Sequence, residues 1–154
     1  SFIRVEADEV TYPAHVILRY RLEKAMLSGD LDLADLPQAW GDGLEALLGI
    51  RPANDREGCL QDIHWYSGAF GYFPTYSLGA MCAAQVFGAA RDHLGDVEAQ
   101  IERGEFAPLV QWLRENVHGK ASSGSTEEIL TAATGSGLRA DAFKAHLRKR
   151  YLGS

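Results

Sequence analysis

The apolar residues of this chain recur at intervals of three and four positions, and no stretch sustains the alternation of apolar and polar residues that is typical of a strand. Residues three and four apart share one face of an α-helix, whereas a half-buried strand needs a period of two. Glycines and prolines interrupt the apolar pattern, as they do at helix ends and turns. The sequence therefore predicts an all-α fold, without internal repeats or low-complexity segments.

Two helices are predicted between residues 10 and 49. The first starts or kinks near Pro13 and stops at Gly29, because proline suits the first turn of a helix and glycine its end. The second follows Asp35, a candidate N-cap, and stops at Gly49. The expected core residues are Val10, Ala14, Ile17, Leu18, Leu22, Ala25 and Met26 in the first helix, and Trp40, Leu44, Leu47 and Leu48 in the second.

The second half of the chain predicts further helices separated by glycines. An alanine-rich run, capped by Thr75 or Ser77 and ended by Gly95, is expected to form a buried helix, because small side chains allow close packing. Four further helices are predicted. A short one runs from 96 to about 103, and the next ends near 119. A third begins at the capping-box pair Ser125 and Glu128, and the last runs from about 140 to 151.

Length and charge limit the classes of protein to which the chain can belong. Its 154 residues suit one domain, and we expect a single helical domain over residues 1–154. The formal net charge of −6 gives no general attraction for nucleic acid, and the basic run 146–150 is interpreted as a solvated last helical turn. No apolar run approaches the roughly 20 residues of a membrane span. We therefore expect neither nucleic acid nor membrane as a partner.

The two cysteines and the start of the chain bear on its location and completeness. Cys59 and Cys82 have neither the spacing of a disulfide framework nor that of a zinc knuckle, so a cytoplasmic location is expected. The chain begins directly with patterned sequence and without an initiator methionine. This beginning predicts a piece of a longer protein.

The stretch GCLQDIHWYSGAFGYFPTYSLG, residues 58–79, places polar and aromatic side chains around glycines and one proline. Such a bend can be a buried hydrogen-bonded corner or can line a pocket, and residue type alone leaves both interpretations open. Cys59, Asp62 and His64 are the nearest approach to a metal-ligand cluster, but a bend need not direct all three to one point. The chain carries no His-Glu-x-x-His motif, nucleophile elbow or phosphate loop.

Two separated motifs give the chain a resemblance to a known family. Residues 3–8 read Ile-Arg-Val-Glu-Ala-Asp, and residues 58–65 read Gly-Cys-Leu-Gln-Asp-Ile-His-Trp. Both motifs are complete and occur in the order and spacing of the carboxypeptidase Taq family of zinc metallocarboxypeptidases. The segments around them are similar as well, so the resemblance extends over essentially the whole chain.

The resemblance covers only the C-terminal part of such an enzyme, because the family's metal-bearing motifs would lie upstream of Ser1. It implies a complete enzyme that holds zinc or another divalent metal and releases C-terminal amino acids from peptides with a free C-terminus. This chain alone is expected to bind no metal and to be inactive. Its implied partners are the missing N-terminal part and a second copy in a homodimer. The alternative is a stand-alone helical binding or interaction module.

The resemblance also implies substrate-binding roles. Arg4 is the candidate for the substrate carboxylate, because a guanidinium can form a bidentate, charge-assisted pair with that anion. The structural alternative for Arg4 is an ion pair with Glu6, Asp8 or another acid. Gln61 is placed with Arg4 among the substrate-binding candidates, and Asp8 is expected to support them.

The second motif and the bend supply the catalytic candidates. His64 is expected to donate to the oxyanion or the substrate, although a structural histidine is the alternative. Tyr72 and Tyr76 could hydrogen-bond the intermediate, or they could simply pack with bonded hydroxyls. Asp62 is expected to orient His64 together with Gln61, and Trp65 is expected to pack behind them.

Overall fold

The computed structural model describes residues 1–153, and the regular secondary structure of this part is entirely helical. No strand occurs in it, which confirms the all-α prediction. The α-helices are α1 (Tyr12–Ser28), α2 (Leu36–Leu48), α3 (Pro74–Leu94), α4 (Val97–Glu102), α5 (Ala107–Asn116), α6 (Thr126–Thr134) and α7 (Asp141–Leu152). Short 3₁₀ helices lie at Arg4–Glu6, Leu33–Asp35 and His118–Lys120.

The chain divides into two compact units, and the boundary falls inside α3, after Leu78. The first unit contains α1, α2 and the long bend between α2 and α3. The second begins at Gly79 and contains the remaining helices. The expectation of one domain over the whole length stays a prediction.

The first unit is built on the packing of α1 against α2. Its core consists of Leu18, Leu22, Trp40, Leu44 and Cys59. Burial of these large apolar side chains is the main favourable term for this unit, at roughly 1.5–3 kcal/mol for each fully buried aliphatic side chain. The same packing brings the buried face of α1 next to the bend that follows α2.

Helix α1 differs from its predicted pattern in which face it buries. It begins at Tyr12 with Pro13 in the first turn, and Gly29 ends it with a positive φ of 80°, as predicted. Val10 and Ile17, however, are 48% and 41% exposed, so their assignment to the core is wrong. The buried residues of α1 include three that are polar or charged: His15, Arg19 and Glu23.

Helix α2 agrees closely with the prediction. It follows Asp35 and ends at Gly49 in the left-handed conformation, although the Asp35 side chain makes no capping hydrogen bond. Trp40 and Leu44 are buried, and Leu47 and Leu48 pack partly buried against the core.

Helix α3, which crosses the boundary, and the helices of the second unit match the predicted helices with small shifts at their ends. Helix α3 starts at Pro74, just before the predicted cap, and stops before Gly95. Its buried residues are Gln85 and Ala90, so the prediction of a generally buried helix is wrong for the chain as described. Ser125 and Glu128 form the predicted capping box.

Gln85 fixes the segment that joins α6 to α7. Its Nε2 donates to Thr134 Oγ1 at 2.9 Å and to the carbonyls of Ser136 and Gly137 at 3.0 and 2.9 Å, while its Oε1 accepts from the Arg139 N–H at 3.0 Å. A buried amide with both ends satisfied holds this segment in one conformation.

None of the helices within residues 1–153 combines the length and the apolar character that a membrane span requires.

Candidate functional site

The two sequence motifs meet in the first unit around the carboxylate of Asp62. Arg4 donates from Nε and Nη2 to Asp62 Oδ1 at 3.0 and 2.8 Å. Arg19, from the buried face of α1, donates from Nε to Asp62 Oδ2 at 2.5 Å. One carboxylate thus joins the 3₁₀ helix of the first motif, helix α1 and the second motif.

Gln61 completes the connection between these segments. Its Oε1 accepts from the backbone N–H of Arg4 at 2.8 Å and from Arg19 Nη2 at 2.7 Å. Its Nε2 donates to the carbonyls of Phe2 and Glu57 at 3.1 and 2.7 Å. Because both ends of the amide are occupied by the protein, Gln61 acts here as a cross-link, and its assignment to substrate binding stays a prediction.

Burial and pairing oppose each other in the electrostatics of this cluster. Burial by itself raises the pKa of Asp62, but hydrogen bonds and the charges of Arg4 and Arg19 outweigh it and hold the pKa below its usual range. Burial lowers the pKa of Arg19 to about 10, against the pull of Asp62. Burial also lowers the pKa of Arg4, but its hydrogen bonds and charge interaction with Asp62 outweigh burial, so that its pKa is raised. All three groups are therefore charged at neutral pH.

Arg4 lies in the ion pair that the sequence left open as its structural alternative. Only 6% of the residue is exposed, and Nη1, the guanidinium nitrogen not bound to Asp62, donates to the Tyr12 hydroxyl at 2.5 Å. The guanidinium also lies 4.9 Å from the ring centroid of Tyr76. The role of Arg4 in binding a substrate carboxylate stays a prediction, and the acid that pairs with it is Asp62 rather than Glu6 or Asp8.

His64 is held between aromatic rings. Its Nε2 lies 2.9 Å from the Tyr76 hydroxyl, and its ring packs on Phe73 with centroids 4.3 Å apart. Its Nδ1 is buried and has no hydrogen-bond partner among the described residues; the nearest Asp62 oxygen is 3.9 Å away. Burial is the main cause that lowers the pKa of His64, so the imidazole is neutral at neutral pH.

Tyr72 is the exposed member of the same aromatic group. Its ring lies 5.7 Å from that of His64 and 5.4 Å from that of Tyr76, and 48% of the residue is exposed. The structure thus brings the three predicted catalytic residues together, with Tyr72 on the surface and His64 behind it. In this arrangement the exposed Tyr72 can offer a hydrogen bond to a polar group from solvent, while the Tyr76 hydroxyl and His64 Nε2 are bonded to each other.

Glu23 accepts hydrogen bonds from both ends of the bend between His64 and Tyr72. Its Oε2 accepts from Trp65 Nε1 at 2.7 Å, and its Oε1 accepts from the backbone N–H of Gly71 at 2.6 Å. Gly71 has a φ of 75°, a conformation that glycine adopts at little cost. Trp65 packs on Trp40 and Phe73 at ring distances of 6.2 and 5.7 Å, as its predicted packing role requires.

The hydrogen bonds of Asp8 are local to the turn before α1. Its Oδ1 accepts from the N–H groups of Val10 and Thr11 at 2.9 and 3.0 Å, and its Oδ2 accepts from the Thr11 hydroxyl at 2.8 Å. These bonds lower the pKa of Asp8. Asp8 therefore organises the turn that leads into α1, and a supporting role toward Arg4 would act through this turn.

Within residues 1–153, no group of three or more His, Cys, Asp or Glu side chains could hold a metal ion. In the weak cluster of Cys59, Asp62 and His64, both carboxylate oxygens of Asp62 already accept from guanidinium groups. Burial raises the pKa of the Cys59 thiol, which disfavours the thiolate that a metal would need.

Sequence reasoning missed the residues that α1 contributes. His15, Arg19 and Glu23 occur at intervals of four residues, next to the buried Leu18 and Leu22. Side chains four residues apart lie on the same face of a helix, so these three polar residues form a row next to the buried apolar residues. That signal was present in the sequence, but an apolar pattern search passes over it.

The first unit is thus a helical fold in which a buried Arg-Asp-Arg cluster lies next to a histidine and two tyrosines. The family model described as carboxypeptidase Taq (M32) metallopeptidase matches residues 1–151. The chain belongs to this family, as the two motifs indicated.

The relatives agree in sequence and in structure. Carboxypeptidase 1 of Bacillus subtilis is 46% identical over 151 residues, and thermostable carboxypeptidase 1 of Thermus thermophilus is 44% identical over 151 residues. Both alignments cover 98% of this chain and 30% of the relative. The structure of Trypanosoma cruzi metallocarboxypeptidase 1 superposes with a TM-score of 0.94 and 41% identity, covering 99% of this chain and 32% of that one. The chain therefore spans about 30% of the length of its curated relatives.

Proposed function

We propose that the chain is the C-terminal part of a metal-dependent carboxypeptidase that releases C-terminal amino acids from peptides, and that it supplies one wall of the substrate site. The observation that carries this proposal is the family match over residues 1–151 by a chain that spans about 30% of its relatives. The divalent metal, zinc by preference, would be held by ligands in the remaining part. By itself this chain would bind no metal and would not hydrolyse peptides.

The arrangement of the first unit supports a binding wall. Its buried side is a satisfied network of charges, which costs free energy to bury and is stable only when every group is paired. Its accessible side carries Tyr72, whose ring lies 5.4 Å from that of Tyr76 and 5.7 Å from that of His64. In the proposed enzyme these three groups hydrogen-bond the substrate or the oxyanion that forms at the scissile bond.

The activity test uses the protein made from the native, untruncated gene. Metal-loaded protein and metal-stripped protein are incubated with a blocked dipeptide that has a free C-terminus, and the released amino acid is measured. We expect release that depends on the metal and stops when the C-terminus is amidated. Release by the 154-residue chain alone would overturn the assignment of the metal site to the remaining part.

Arg4→Ala in the same complete protein tests the substrate-carboxylate role. Since Arg4 also pairs with Asp62 and Tyr12, both the free energy of unfolding and kcat/KM are expected to fall. Tyr12→Phe removes only the internal hydroxyl partner and serves as the control. A folded Arg4→Ala enzyme with unchanged kcat/KM would show that the ion pair is the whole role of Arg4.

The stand-alone helical binding module remains the second candidate, and the mass of the native gene product separates the two. A product much heavier than 16.9 kDa supports the carboxypeptidase part, and a product near this mass supports the module. We further propose a cytoplasmic location, supported by the free thiols of Cys59 and Cys82, and a homodimer of the complete enzyme. Cell fractionation and light scattering test these two points.

A further inference from the structure

Glu23 is a buried carboxylate with an unusual pair of partners. Only 4% of the residue is exposed, and no salt bridge within residues 1–153 involves it. Its two oxygens instead accept from two N–H groups, the indole of Trp65 and the backbone of Gly71. A buried carboxylate costs free energy unless donors bond its oxygens, so these two hydrogen bonds couple the position of Glu23 to the positions of Trp65 and Gly71.

The two partners lie at opposite ends of one bend. Trp65 directly follows His64, and Gly71 directly precedes Tyr72. The two residues are six positions apart in the sequence, and Gly68 and Gly71, both with positive φ, let the chain turn back between them. By holding both ends, the Glu23 carboxylate fixes the distance between the histidine and the exposed tyrosine.

We propose that Glu23 is a positioning residue of the substrate wall, which clamps the bend 65–71 and so sets the placement of Tyr72 and Tyr76 relative to His64. This inference rests on the proposed carboxypeptidase function. Glu23 lies outside both sequence motifs, on α1, and it acts through the bend rather than by touching substrate. Catalytic groups lose on the order of 100-fold in rate when they are misplaced by about 1 Å, so a clamp of this kind affects turnover.

The discriminating variant is Glu23→Gln in the metal-loaded, complete protein. Glutamine has nearly the same shape, but its NH₂ group donates, so it cannot accept from both Trp65 Nε1 and the Gly71 N–H. We expect kcat to fall about 10- to 100-fold, with KM changed less than about threefold, at a temperature where the variant is fully folded. Glu102→Gln makes the same chemical change at an exposed position of α4 and should leave kcat within about twofold.

A second variant shows whether the loss runs through the clamp. Trp65→Phe removes one of the two donors, so in the double variant the glutamine no longer faces a donor that it cannot satisfy. The kcat loss of the double variant should therefore be smaller than the product of the two single losses. Independent, multiplying losses would contradict a shared clamp.

The outcomes for this inference and for the proposed function are separate. If the wild type is active and folded Glu23→Gln retains kcat within about twofold, the inference is overturned and the proposed function stands. If the wild type releases no amino acid, the proposed function fails, and the inference that rests on it fails too. The indole N–H resonance of Trp65, assigned with Trp65→Phe in ¹⁵N-tryptophan-labelled protein, gives a readout besides activity. We expect Glu23→Gln to shift it, and an unmoved resonance would refute the clamp.

Discussion

Asp62→Asn is the substitution that most directly tests the buried cluster. The carboxylate accepts three hydrogen bonds, two from Arg4 at Oδ1 and one from Arg19 at Oδ2. An asparagine keeps one oxygen and turns an NH₂ group toward a guanidinium donor, so at best it accepts the two bonds from Arg4. It also leaves two buried guanidinium groups without the anion that lies between them.

The size of the effect follows from this loss. Removing one partner of a buried ion pair costs about 3–5 kcal/mol, because the remaining charge is buried without compensation. Each kcal/mol shifts Tm by about 2–4 °C in a chain of 150–250 residues and by less in a longer one, so we expect a decrease of about 3–10 °C in the complete protein. The assay is thermal unfolding, with circular dichroism as the signal.

The matched control is Asp42→Asn, which removes the carboxylate from an exposed ion pair with Arg51. Such surface pairs contribute about 0–1 kcal/mol, so its Tm should change by no more than about 2 °C. If Asp62→Asn lowers Tm no more than Asp42→Asn does, the buried cluster does not stabilise the fold in the way argued from its geometry.

The same carboxylate should make stability depend on acid. Because the pKa of Asp62 is lower in the folded state than its usual value near 3.8, the charged form is favoured by folding. This contribution is fully present above the usual pKa and is lost as the pH falls through the lowered folded value. Asp62→Asn should therefore show a weaker fall in unfolding free energy below about pH 4 than the wild type.

Three further predictions concern other parts of the chain. Burial and the charge of Arg19 lower the pKa of His15 to about 4, so neutral His15 stabilises the folded state above pH 6.5, and this stabilisation is lost as the pH falls toward 4. In His15→Gln, the free energy of unfolding measured with urea should therefore depend less on pH between 6.5 and 4. Gly43→Ala places a Cβ 2.4 Å from a methyl of the buried Leu18 and should lower the free energy of unfolding by about 1–3 kcal/mol. Its control is Gly79→Ala, whose Cβ would meet no neighbouring group within 4 Å; in the same assay it should leave the free energy of unfolding unchanged or raise it by up to about 1 kcal/mol. Gln85→Leu leaves the Arg139 N–H and the carbonyls of the α6–α7 segment without their partner and should destabilise by about 2–3 kcal/mol, with faster amide exchange at residues 134–139.

The helices were predictable because single residues at their ends, such as glycine and proline, mark where they begin and stop. Gly29 and Gly49 adopt the left-handed conformation that ends α1 and α2, and Pro13 lies in a first turn where its missing N–H costs nothing. The Ser125–Glu128 capping box was likewise visible as a spacing of three. These signals are local, so the sequence carries them without knowledge of the tertiary fold.

The inner face of α1 was not predictable in the same way. Val10 and Ile17 fit an apolar stripe but lie toward solvent, while Arg19 is fully buried. A guanidinium is buried only where partners compensate its lost hydration, and those partners, Asp62 and Gln61, are 43 and 42 residues away. Apolar periodicity cannot detect a contact of this sequence separation, because it scores each helix by itself.

Four of the candidate site residues, Arg4, Gln61, Asp62 and His64, belong to the two motifs, and the structure explains why the motifs occur together. The Arg4 N–H binds Gln61, and the Arg4 guanidinium binds Asp62, across sequence separations of 57 and 58 residues. A buried group in either motif would be left unpaired if the other changed, at a cost that single substitutions rarely offset. The motifs therefore specify a contact between two segments as much as a chemistry. His64, whose Nδ1 has no partner within residues 1–153, is the motif residue with a polar atom left over from that contact. On this argument, substitutions at Gln61 and Asp62 should affect folding first and catalysis through it, and Arg4→Ala should lower kcat/KM as well as stability. Substitutions at His64 should affect catalysis more than stability.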